Sequence, residues 1–199
     1  YVVSYINCSS EVKTLSDVIC TSGNADKIVA ASPKDRPILF TPDQNLGSWA
    51  MEKTGREMLL WPGYCYVHTQ FTAEAIAEEK KKYPGAKVIA HPECTAPVRR
   101  AADEVCSTEK MISYCRTQPA KEFIIVTEAN IIHRLHKELP DKKFYPLPIK
   151  GFQPQCKHMM KNTLDKMISA FNNMKPQIQL PAEIMAKARA PIERMLELS

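Results

Sequence analysis

Long apolar segments are missing from this chain of 199 residues. No run of about 18 apolar residues occurs, so we expect neither a membrane-spanning helix nor a membrane partner. The sequence shows no secretory signal, which predicts a cytoplasmic protein. Basic residues interleaved with aromatic ones, the pattern of a nucleic-acid-binding surface, are also absent, and we expect no nucleic-acid partner. The net charge of +5 is modest and suits a small anionic ligand better.

A disulfide framework is not indicated either, because the seven cysteines are odd in number and widely spaced. We therefore expect reduced thiols and consider metal binding for some of them. Cys8, Cys20, Cys94 and Cys106 fall within or beside predicted strands and helices, which favours buried core thiols. Cys115 lies on a predicted helix and has the same interpretation.

The sequence repeats itself after a shift of 86 residues. The shift aligns residues 2–62 with residues 88–148 without a gap, and apolar runs coincide along both segments. The matched polar and thiol positions are Cys8 with Cys94, Asp17 with Asp103, and Cys20 with Cys106. We interpret the two segments as copies of one structural unit.

Short apolar runs alternate with helical patterns in each copy, which predicts an α/β fold with parallel sheets covered on both faces. We expect three-layer αβα sandwich units with four-stranded sheets at residues 1–68 and 86–156, and a linking helix within 69–85. The predicted strands are residues 2–6, 18–21, 38–41 and 58–61 in the first unit and 88–91, 105–107, 123–127 and 144–147 in the second. Val12, Leu15 and Ile19 have the spacing of a helix packed on the first sheet.

The helical pattern of residues 157–199 predicts C-terminal helices that repeat neither unit. The last helix extends from about Ala182 to Leu198, and Pro191 should kink or break it.

Polar side chains follow the predicted strands at the same edge of both units. Ligands bind at the carboxyl ends of strands in open parallel sheets, and hydroxyl groups and helix N-termini at such an edge suit a phosphate or carboxylate. The candidates at this edge are Tyr5, Asn7, Ser22, His91, Glu93, Ser107 and Thr108, and Asp43, Thr127 and Glu128 follow the third strands at the same edge without an assigned role. Structural roles also fit two of them: Glu93 suits a helix N-terminus, and Tyr5 suits a core aromatic position.

Cys65 and Cys156 follow proline-containing loops at this edge, so they are the candidate metal ligands. His68 follows Cys65 by three residues, and this Cys-x-x-His spacing is that of half a zinc site. No clear second half follows, since His158 after Cys156 is a weak partner.

Five segments together resemble the quinolinate synthase A family of iron–sulfur enzymes in NAD biosynthesis. They are residues 5–7, 17–22, 61–68 with the sequence WPGYCYVH, 91–94 with the sequence HPEC, and 156–163. The chain begins without methionine at residues typical of a strand interior, so we expect a piece of a longer protein. The resemblance extends from Tyr1 to Ser199 and implies the C-terminal two thirds of a family member.

The resemblance implies three αβα units around a pseudo-threefold axis, with the first unit missing here and the C-terminal helices packing toward it. Each unit contributes one cysteine to a [4Fe–4S] cluster, so Cys65 and Cys156 are implied ligands and the third cysteine lies outside this chain. The implied reaction condenses iminoaspartate with dihydroxyacetone phosphate to quinolinate, with an open iron acting as Lewis acid. An aspartate oxidase that makes iminoaspartate is the implied functional partner.

The resemblance also implies roles for individual residues. It gives catalytic roles to Glu93, Tyr5 and His91. It gives substrate-binding roles to Asn7, Ser22, His91, Glu93, Ser107 and Thr108. His68 is placed in the site without a ligand role. Since one ligand and one wall of the site would be missing, we expect this chain to be inactive on its own.

Two other functions stay open at this point. The first is a zinc-dependent α/β enzyme that uses Cys65, His68 and Cys156. The second is a non-catalytic protein that binds a small anion. The repeat places Tyr5 opposite His91, and unlike residues at equivalent positions favour an enzyme over a symmetric binding protein.

Overall fold

Two parallel four-stranded sheets form the framework of the chain, as a computed structural model of residues 1–150 and 153–199 shows. The first sheet contains β1 (Val2–Tyr5), β2 (Val18–Cys20), β3 (Leu39–Thr41) and β4 (Leu59–Leu60), in the order β2-β1-β3-β4. The second contains β5 (Lys87–Ala90), β6 (Glu104–Val105), β7 (Glu122–Val126) and β8 (Lys143–Pro146), in the order β6-β5-β7-β8. All neighbouring strands are parallel, which confirms the predicted α/β fold with repeated four-stranded sheets.

Helices flank both sheets. They are α1 (Ser10–Thr14), α2 (Ala25–Ala31), α3 (Gln44–Thr54), α4 (Ala73–Lys82), α5 (Ala96–Ala101), α6 (Thr108–Thr117), α7 (Ile131–Glu138), α8 (Leu164–Asn173) and α9 (Ala182–Leu198). Short 3-10 helices cover His68–Gln70 and Met159–Lys161. Within the described ranges, none of these helices combines the length and the apolar character needed to cross a membrane.

The second sheet is covered on both faces because side chains alternate along its buried strands. Val88 and Ala90 of β5 pack with Ile76 of α4 and Val98 of α5. Ile89 points to the opposite face, where α6 and α7 complete a second apolar cluster. The unit is therefore a three-layer sandwich, as predicted.

The first sheet has a deep core on one face, where Ile28 of α2 and Leu46 of α3 are fully buried. Met195 of α9 joins the same cluster. On the other face, Val2 and Leu39 remain half-buried in the described part of the chain. The two units therefore share a strand order but differ in how their outer faces are covered.

Helix α9 packs against α1, α2 and β2 of the first unit. Packing of the C-terminal helices toward a unit outside this chain stays a prediction, and within the described residues α9 packs on the first unit. The reason is the apolar side chains of Ile192, Met195 and Leu198, which extend the first core. The helix continues through Pro191, which is buried inside it, so the predicted break does not occur.

The helix predicted from Val12, Leu15 and Ile19 is wrong beyond its first residues. α1 ends at Thr14, Leu15 is 78% exposed, and Ile19 lies in β2. The chain turns at this point because the Asp17 carboxylate accepts the Val2 N–H at 2.7 Å. Asp103 accepts the N–H of Val88 in the same way at 2.8 Å, so the repeated aspartate holds the start of each first strand.

Most of the predicted core thiols are confirmed. Cys20, Cys94, Cys106 and Cys115 are buried. Cys8 is only half-buried, since its loop lies at the strand edge and its Sγ is 3.5 Å from Nζ of Lys13. The prediction of a core position for Cys8 is therefore wrong.

The gap-free repeat holds for the first two strands of each unit but not for the third. Val3 pairs with Phe40, whereas its equivalent Ile89 pairs with Ile125, one residue earlier than the 86-residue shift requires. Asp43 and Glu128 consequently occupy equivalent places after the third strands. A gap-free alignment hides this equivalence, which matters for the site.

Helix α8 repeats α4, so the prediction that residues 157–199 repeat neither unit is wrong for this segment. Each cysteine loop leads into a 3-10 helix and then a ten-residue helix. Thr72 caps α4 by accepting the N–H of Ala75, and Thr163 caps α8 by accepting the N–H of Lys166. The loop before Cys156 is longer than the loop before Cys65, so the sequence offset between the two copies changes at this point. An alignment with a constant offset of 86 residues therefore cannot detect that α8 matches α4.

Candidate active site

A cavity of about 480 Å³ opens at the carboxyl ends of strands from both sheets. It brings together most of the residues predicted from the sequence. Its lining includes Tyr5, Asn7, Asp43, Cys65, Tyr66, His68, Glu93, Glu128 and Cys156. The main cavity of the described chain therefore lies at the predicted edge of the strands.

The loop of Cys65 is fixed by Asp43, which follows β3. Oδ2 of Asp43 accepts the backbone N–H of Cys65 at 2.8 Å, and Oδ1 accepts the N–H of Leu46 at the start of α3. Burial raises the pKa of Asp43 to about 6, although the N–H of Leu46 opposes the shift. One carboxylate thus caps a helix and positions a thiol.

The loop of Cys156 uses the equivalent device. Oε1 of Glu128 accepts the N–H of Cys156 at 3.2 Å. The hydroxyl oxygen of Tyr66 accepts the N–H of Lys157 at 2.6 Å, which ties the second cysteine loop to the first. Burial opposes ionisation of Cys156, but hydrogen bonds from the Met159 N–H and Tyr66 outweigh it and lower the pKa of the thiol.

Glu93 lies between two buried imidazoles. Its Oε2 is 3.1 Å from Nδ1 of His68 and 3.3 Å from Nδ1 of His91, and the two rings stack with centroids 4.5 Å apart. Nε2 of His68 is 2.8 Å from Oγ1 of Thr127. These contacts come from both units, because His68 follows the first cysteine loop and His91 follows β5.

The two histidines hold different charges. Burial disfavours the cation of His68, but the close polar contacts with Cys65 and then Glu93 outweigh it and raise the pKa of His68 to about 9. Burial and then the nearby His68 charge hold the pKa of His91 well below its usual range. The backbone N–H of Glu93 donates to Nδ1 of His91, so neutral His91 carries its proton on Nε2. The arrangement is a cationic His68 and a neutral His91 on either side of Glu93.

Tyr5 ends β1 with its ring buried against this cluster. Burial, and then the charge of Glu93, raise the pKa of its hydroxyl, while hydrogen bonding with Ser22 lowers it in part. The hydroxyl therefore stays protonated at neutral pH and is a donor to a bound ligand. Asn7 follows it on the exposed rim of the cavity.

The predicted hydroxyl residues do not all line the main cavity. Ser22 and Ser107 line a neighbouring cavity of about 170 Å³ between the units, with Lys53 and Lys110. Ser107 caps α6 by accepting the N–H of Lys110, and Thr108 is exposed in the first turn of that helix. The structure therefore separates the hydroxyl groups from the thiols, and Tyr5 with Ser22 connects the two cavities.

Arg99 joins the units beside the site. Its side chain is 2% exposed, and Nη1 donates to the carbonyl oxygens of Cys94 at 2.7 Å and Asn45 at 3.1 Å. Nη2 donates to Oγ of Ser48 at 3.1 Å and to Oε1 of Glu52 at 2.6 Å. This guanidinium connects the turn that carries Glu93 to the start of α3.

Sequence reasoning gave no site role to several residues that the structure places here. They are Asp43, Tyr66, Arg99, Thr127 and Glu128. Asp43 and Glu128 stand directly after third strands, so their position at the ligand edge was visible. Their bonds to backbone N–H groups leave no periodic pattern, and only the fold reveals them.

We expect Gly63→Ala to destabilise the protein by about 1–3 kcal/mol or more, because an added Cβ would overlap the carbonyl oxygen of Pro42. That backbone cannot yield easily, since Gly63 also accepts the N–H of Gln44. Urea unfolding of the full-length protein measures the effect. Gly85→Ala is the control, because no atom lies within 4 Å of its added Cβ. Equal midpoints for both variants would contradict the packing argument.

The comparisons with known proteins fit this geometry. The family described as Quinolinate synthetase A protein matches residues 1–197. The chain belongs to this family.

Relatives named quinolinate synthase cover the whole chain. The protein of Gloeothece citriformis is 48% identical over 200 residues, which are 100% of this chain and 62% of that relative. The protein of Cyanophora paradoxa is 47% identical over 200 residues and is covered over 61% of its length. The protein of Chloroherpeton thalassium is 47% identical over 201 residues, with 62% covered. The chain thus spans about three fifths of the length of these members of the quinolinate synthetase A family.

The thiols of this family member fit a shared metal centre. Cys65 and Cys156 are half-buried, face one cavity and come from different units. Each loop is tied down by a carboxylate, which holds the thiol at the cavity wall. The other buried cysteines lie in the apolar cores of the described units. The donor set of this chain is therefore two positioned thiols, with His68 and Glu93 beside the first.

Proposed function

We propose that this chain is part of a quinolinate synthase, the NAD-biosynthesis enzyme that condenses iminoaspartate with dihydroxyacetone phosphate to quinolinate, releasing phosphate and water. The observation that carries the proposal is the placement of two thiols from different units around one cavity, beside a carboxylate between two imidazoles. The names of the relatives support the same assignment. The partner that supplies iminoaspartate is then an aspartate oxidase.

The metal centre of the proposal is a [4Fe–4S] cluster. Cys65 and Cys156 would bind it together with a third cysteine outside this chain. When bound, it supplies an iron without a protein ligand, which polarises a substrate oxygen as a Lewis acid. Cysteine thiolates are the usual ligands of such clusters, and the lowered pKa of Cys156 favours its thiolate.

Glu93 is the proton acceptor of the proposed reaction. Its carboxylate lies on the cavity wall and is buried, and the cation of His68 stabilises its charge. A condensation of this kind removes a proton from carbon and returns one to a departing hydroxyl group. Glu93 has both roles available, because one carboxylate can take up the proton in the first step and donate it in the later one.

Neutral His91 and Tyr5 orient the substrate. His91 is buried next to the cavity residue Glu93 and carries its donor proton on Nε2, since Nδ1 accepts the N–H of Glu93. The protonated hydroxyl of Tyr5 is a second donor at the end of β1. Asn7 adds an amide at the rim. These neutral donors suit carboxylate and carbonyl oxygens without adding charge beside Glu93.

The phosphate of the substrate is assigned to the neighbouring cavity. Ser22 and Ser107 supply hydroxyl groups there, and Ser107 caps the ten-residue helix whose exposed first residue is Thr108. Helix N-termini favour anions because their first N–H groups are unpaired and carry partial positive charge. Lys53 and Lys110 line the same cavity and bring positive charge, which Asp26 and Glu104 in the same lining offset.

The test is the iron and acid-labile sulfide content of the full-length protein, purified without oxygen. We expect about four irons and four sulfides per chain, as a [4Fe–4S] cluster contains. Cys65→Ala and Cys156→Ala should each lose them. Cys115→Ala is the control and should retain them, because Cys115 is buried in the core between α6 and β7.

A native protein that contains zinc alone or no metal would sink the cluster assignment. Loss of iron in Cys115→Ala to the same extent as in Cys65→Ala would show that the variants act through folding.

A further inference from the structure

Three unlike donor atoms meet at one corner of the main cavity. Sγ of Cys65, a ring nitrogen of His68 and a carboxylate oxygen of Glu93 all lie within 4.8 Å of one another. Cys156 is not part of this group, although it lines the same cavity. The donor set of this corner therefore shares only Cys65 with the thiol set that would bind a cluster.

His68 is already oriented as a metal ligand. Its Nδ1 is buried and has no aligned hydrogen-bond partner among the described residues, although Oε2 of Glu93 is 3.1 Å away. Buried polar atoms in native proteins are nearly always paired, so this nitrogen is an exception to be explained. Its Nε2 is 2.8 Å from Oγ1 of Thr127. Metal-binding histidines are commonly held in this way, with the other ring nitrogen donating to a neighbouring oxygen.

The separations are close to those of a tetrahedral zinc site. Zinc bonds of about 2.0–2.3 Å to nitrogen, oxygen and sulfur put neighbouring ligand atoms roughly 3.4–3.6 Å apart. The His68–Glu93 edge of 3.1 Å is already near this value. The other separations in the group are at most 4.8 Å, so the three atoms would have to approach one another by about 1 Å or less on binding. A fourth position faces the cavity, where a water molecule completes the coordination.

We propose that Cys65, His68 and Glu93 form a mononuclear Zn²⁺ site in the protein that lacks its iron–sulfur cluster. Binding converts the Cys65 thiol to a thiolate and removes the proton from Nδ1 of cationic His68, and both protons pass to solvent. The bound ion then occupies one thiol that the cluster requires and the carboxylate assigned as proton acceptor. Zn²⁺ at this corner therefore competes with cluster assembly, a consequence that rests on the proposed function, whereas the ion site itself does not.

The experiment uses the full-length protein freed of iron, with Zn²⁺ measured by equilibrium dialysis and Co²⁺ as a spectroscopic probe. We expect one tightly bound equivalent, and with Co²⁺ a thiolate-to-metal charge-transfer band with the visible bands of a tetrahedral ion. Cys65→Ala and His68→Ala should weaken binding more than about 100-fold, since loss of a mere supporting partner already costs 10–100-fold. Thr127→Val removes only that partner and should cost 10–100-fold.

Cys156→Ala is the matched control, because it removes the other cavity thiol. It should keep the Zn²⁺ affinity and the Co²⁺ spectrum while losing the ability to assemble a cluster. Equal weakening in Cys156→Ala and Cys65→Ala would overturn the proposal, since the ion would then use both thiols. So would a Co²⁺ spectrum without a thiolate band.

A further experiment tests the competition with the cluster separately from the proposed function. Cluster assembly on the native protein is followed with and without one equivalent of Zn²⁺. Slower assembly with Zn²⁺ supports the competition, and an unchanged rate contradicts it. Failure to assemble a cluster even without Zn²⁺ contradicts the proposed function, and the competition is then contradicted as well. The dialysis measurement remains the test of the ion site in that case. Should His68→Ala fail to fold, Thr127→Val carries the test.

Discussion

For the proposed reaction of the full-length protein, we expect Glu93→Gln to lower kcat by a factor of about 10²–10⁴, the usual contribution of a positioned acid or base. The amide has the size of the carboxylate but cannot take up a proton. Binding should change less, because Tyr5, His91 and the hydroxyl groups of the neighbouring cavity remain. The measurement is the rate of quinolinate formation without oxygen, at equal iron content for both proteins.

The same variant has a second expected effect on His68. The hydrogen bond and charge of Glu93 are among the causes that raise the pKa of His68 to about 9. Without the negative charge, the pKa of His68 should fall, and NMR titration of its ring protons would show the change. A fall in this pKa with kcat unchanged would show that Glu93 sets the charge of His68 but does not transfer the reacting proton.

Glu79→Gln is the control for this prediction. Glu79 is 7% exposed, close to the 6% of Glu93, but lies on α4 and pairs with Lys82. We expect this variant to keep native turnover within about twofold, since Glu79 does not line the main cavity. Comparable losses in both variants would indicate a general effect of removing a buried carboxylate.

Arg99→Met should destabilise the protein by about 2–4 kcal/mol, because it leaves the buried carbonyl oxygen of Cys94 without a partner and removes the contacts to α3. The ion pair with Glu52 contributes a smaller share. Glu52 is 47% exposed, so its carboxylate regains water when the guanidinium is removed. Urea unfolding, followed by the fluorescence of Trp49 and Trp61, measures the loss.

Arg100→Met is the matched control, one residue further on the same helix. Arg100 is exposed and forms no ion pair within the described residues, so its variant should lie within about 0.5 kcal/mol of the native protein. Hydrogen exchange adds a local test, since Arg99→Met should increase exchange in residues 91–95. Unchanged exchange there would mean that Arg99 supports α5 alone and not the turn of Glu93.

The sequence was sufficient for the elements that packing dictates. The apolar run at residues 123–127 predicted β7 to within one residue, because a strand buried on both faces is continuously apolar. The edge of the sheet that carries the cavity could be predicted in the same way, because the carboxyl ends of parallel strands lie together. Tyr5, Cys65 and Glu93 do line one cavity at this edge.

Features that depend on single hydrogen bonds could not be predicted. The bonds of Asp43 and Glu128 to the cysteine loops cross many residues and follow no period. Ser22 and Ser107 stand at strand ends as expected, yet they face a separate cavity. The sequence does not give the distance across the sheet edge, so it could not predict this separation. Cys8 shows the reverse case, since its small apolar side chain suggested burial where a loop leaves it half-exposed.

The position of α4 bears on how such a chain arose. α4 follows the first sheet in sequence but covers the second, where its Ile76 joins the apolar cluster of Val88 and Val98. Its counterpart α8 leaves Leu164 and Phe171 exposed in the described structure. A repeat whose last helix packs on the sheet of the next copy leaves one face of its own sheet uncovered. An ancestor with one repeat could therefore have completed its core in a head-to-tail assembly with further copies of itself. Gene fusion would then have turned contacts between subunits into contacts within one polypeptide.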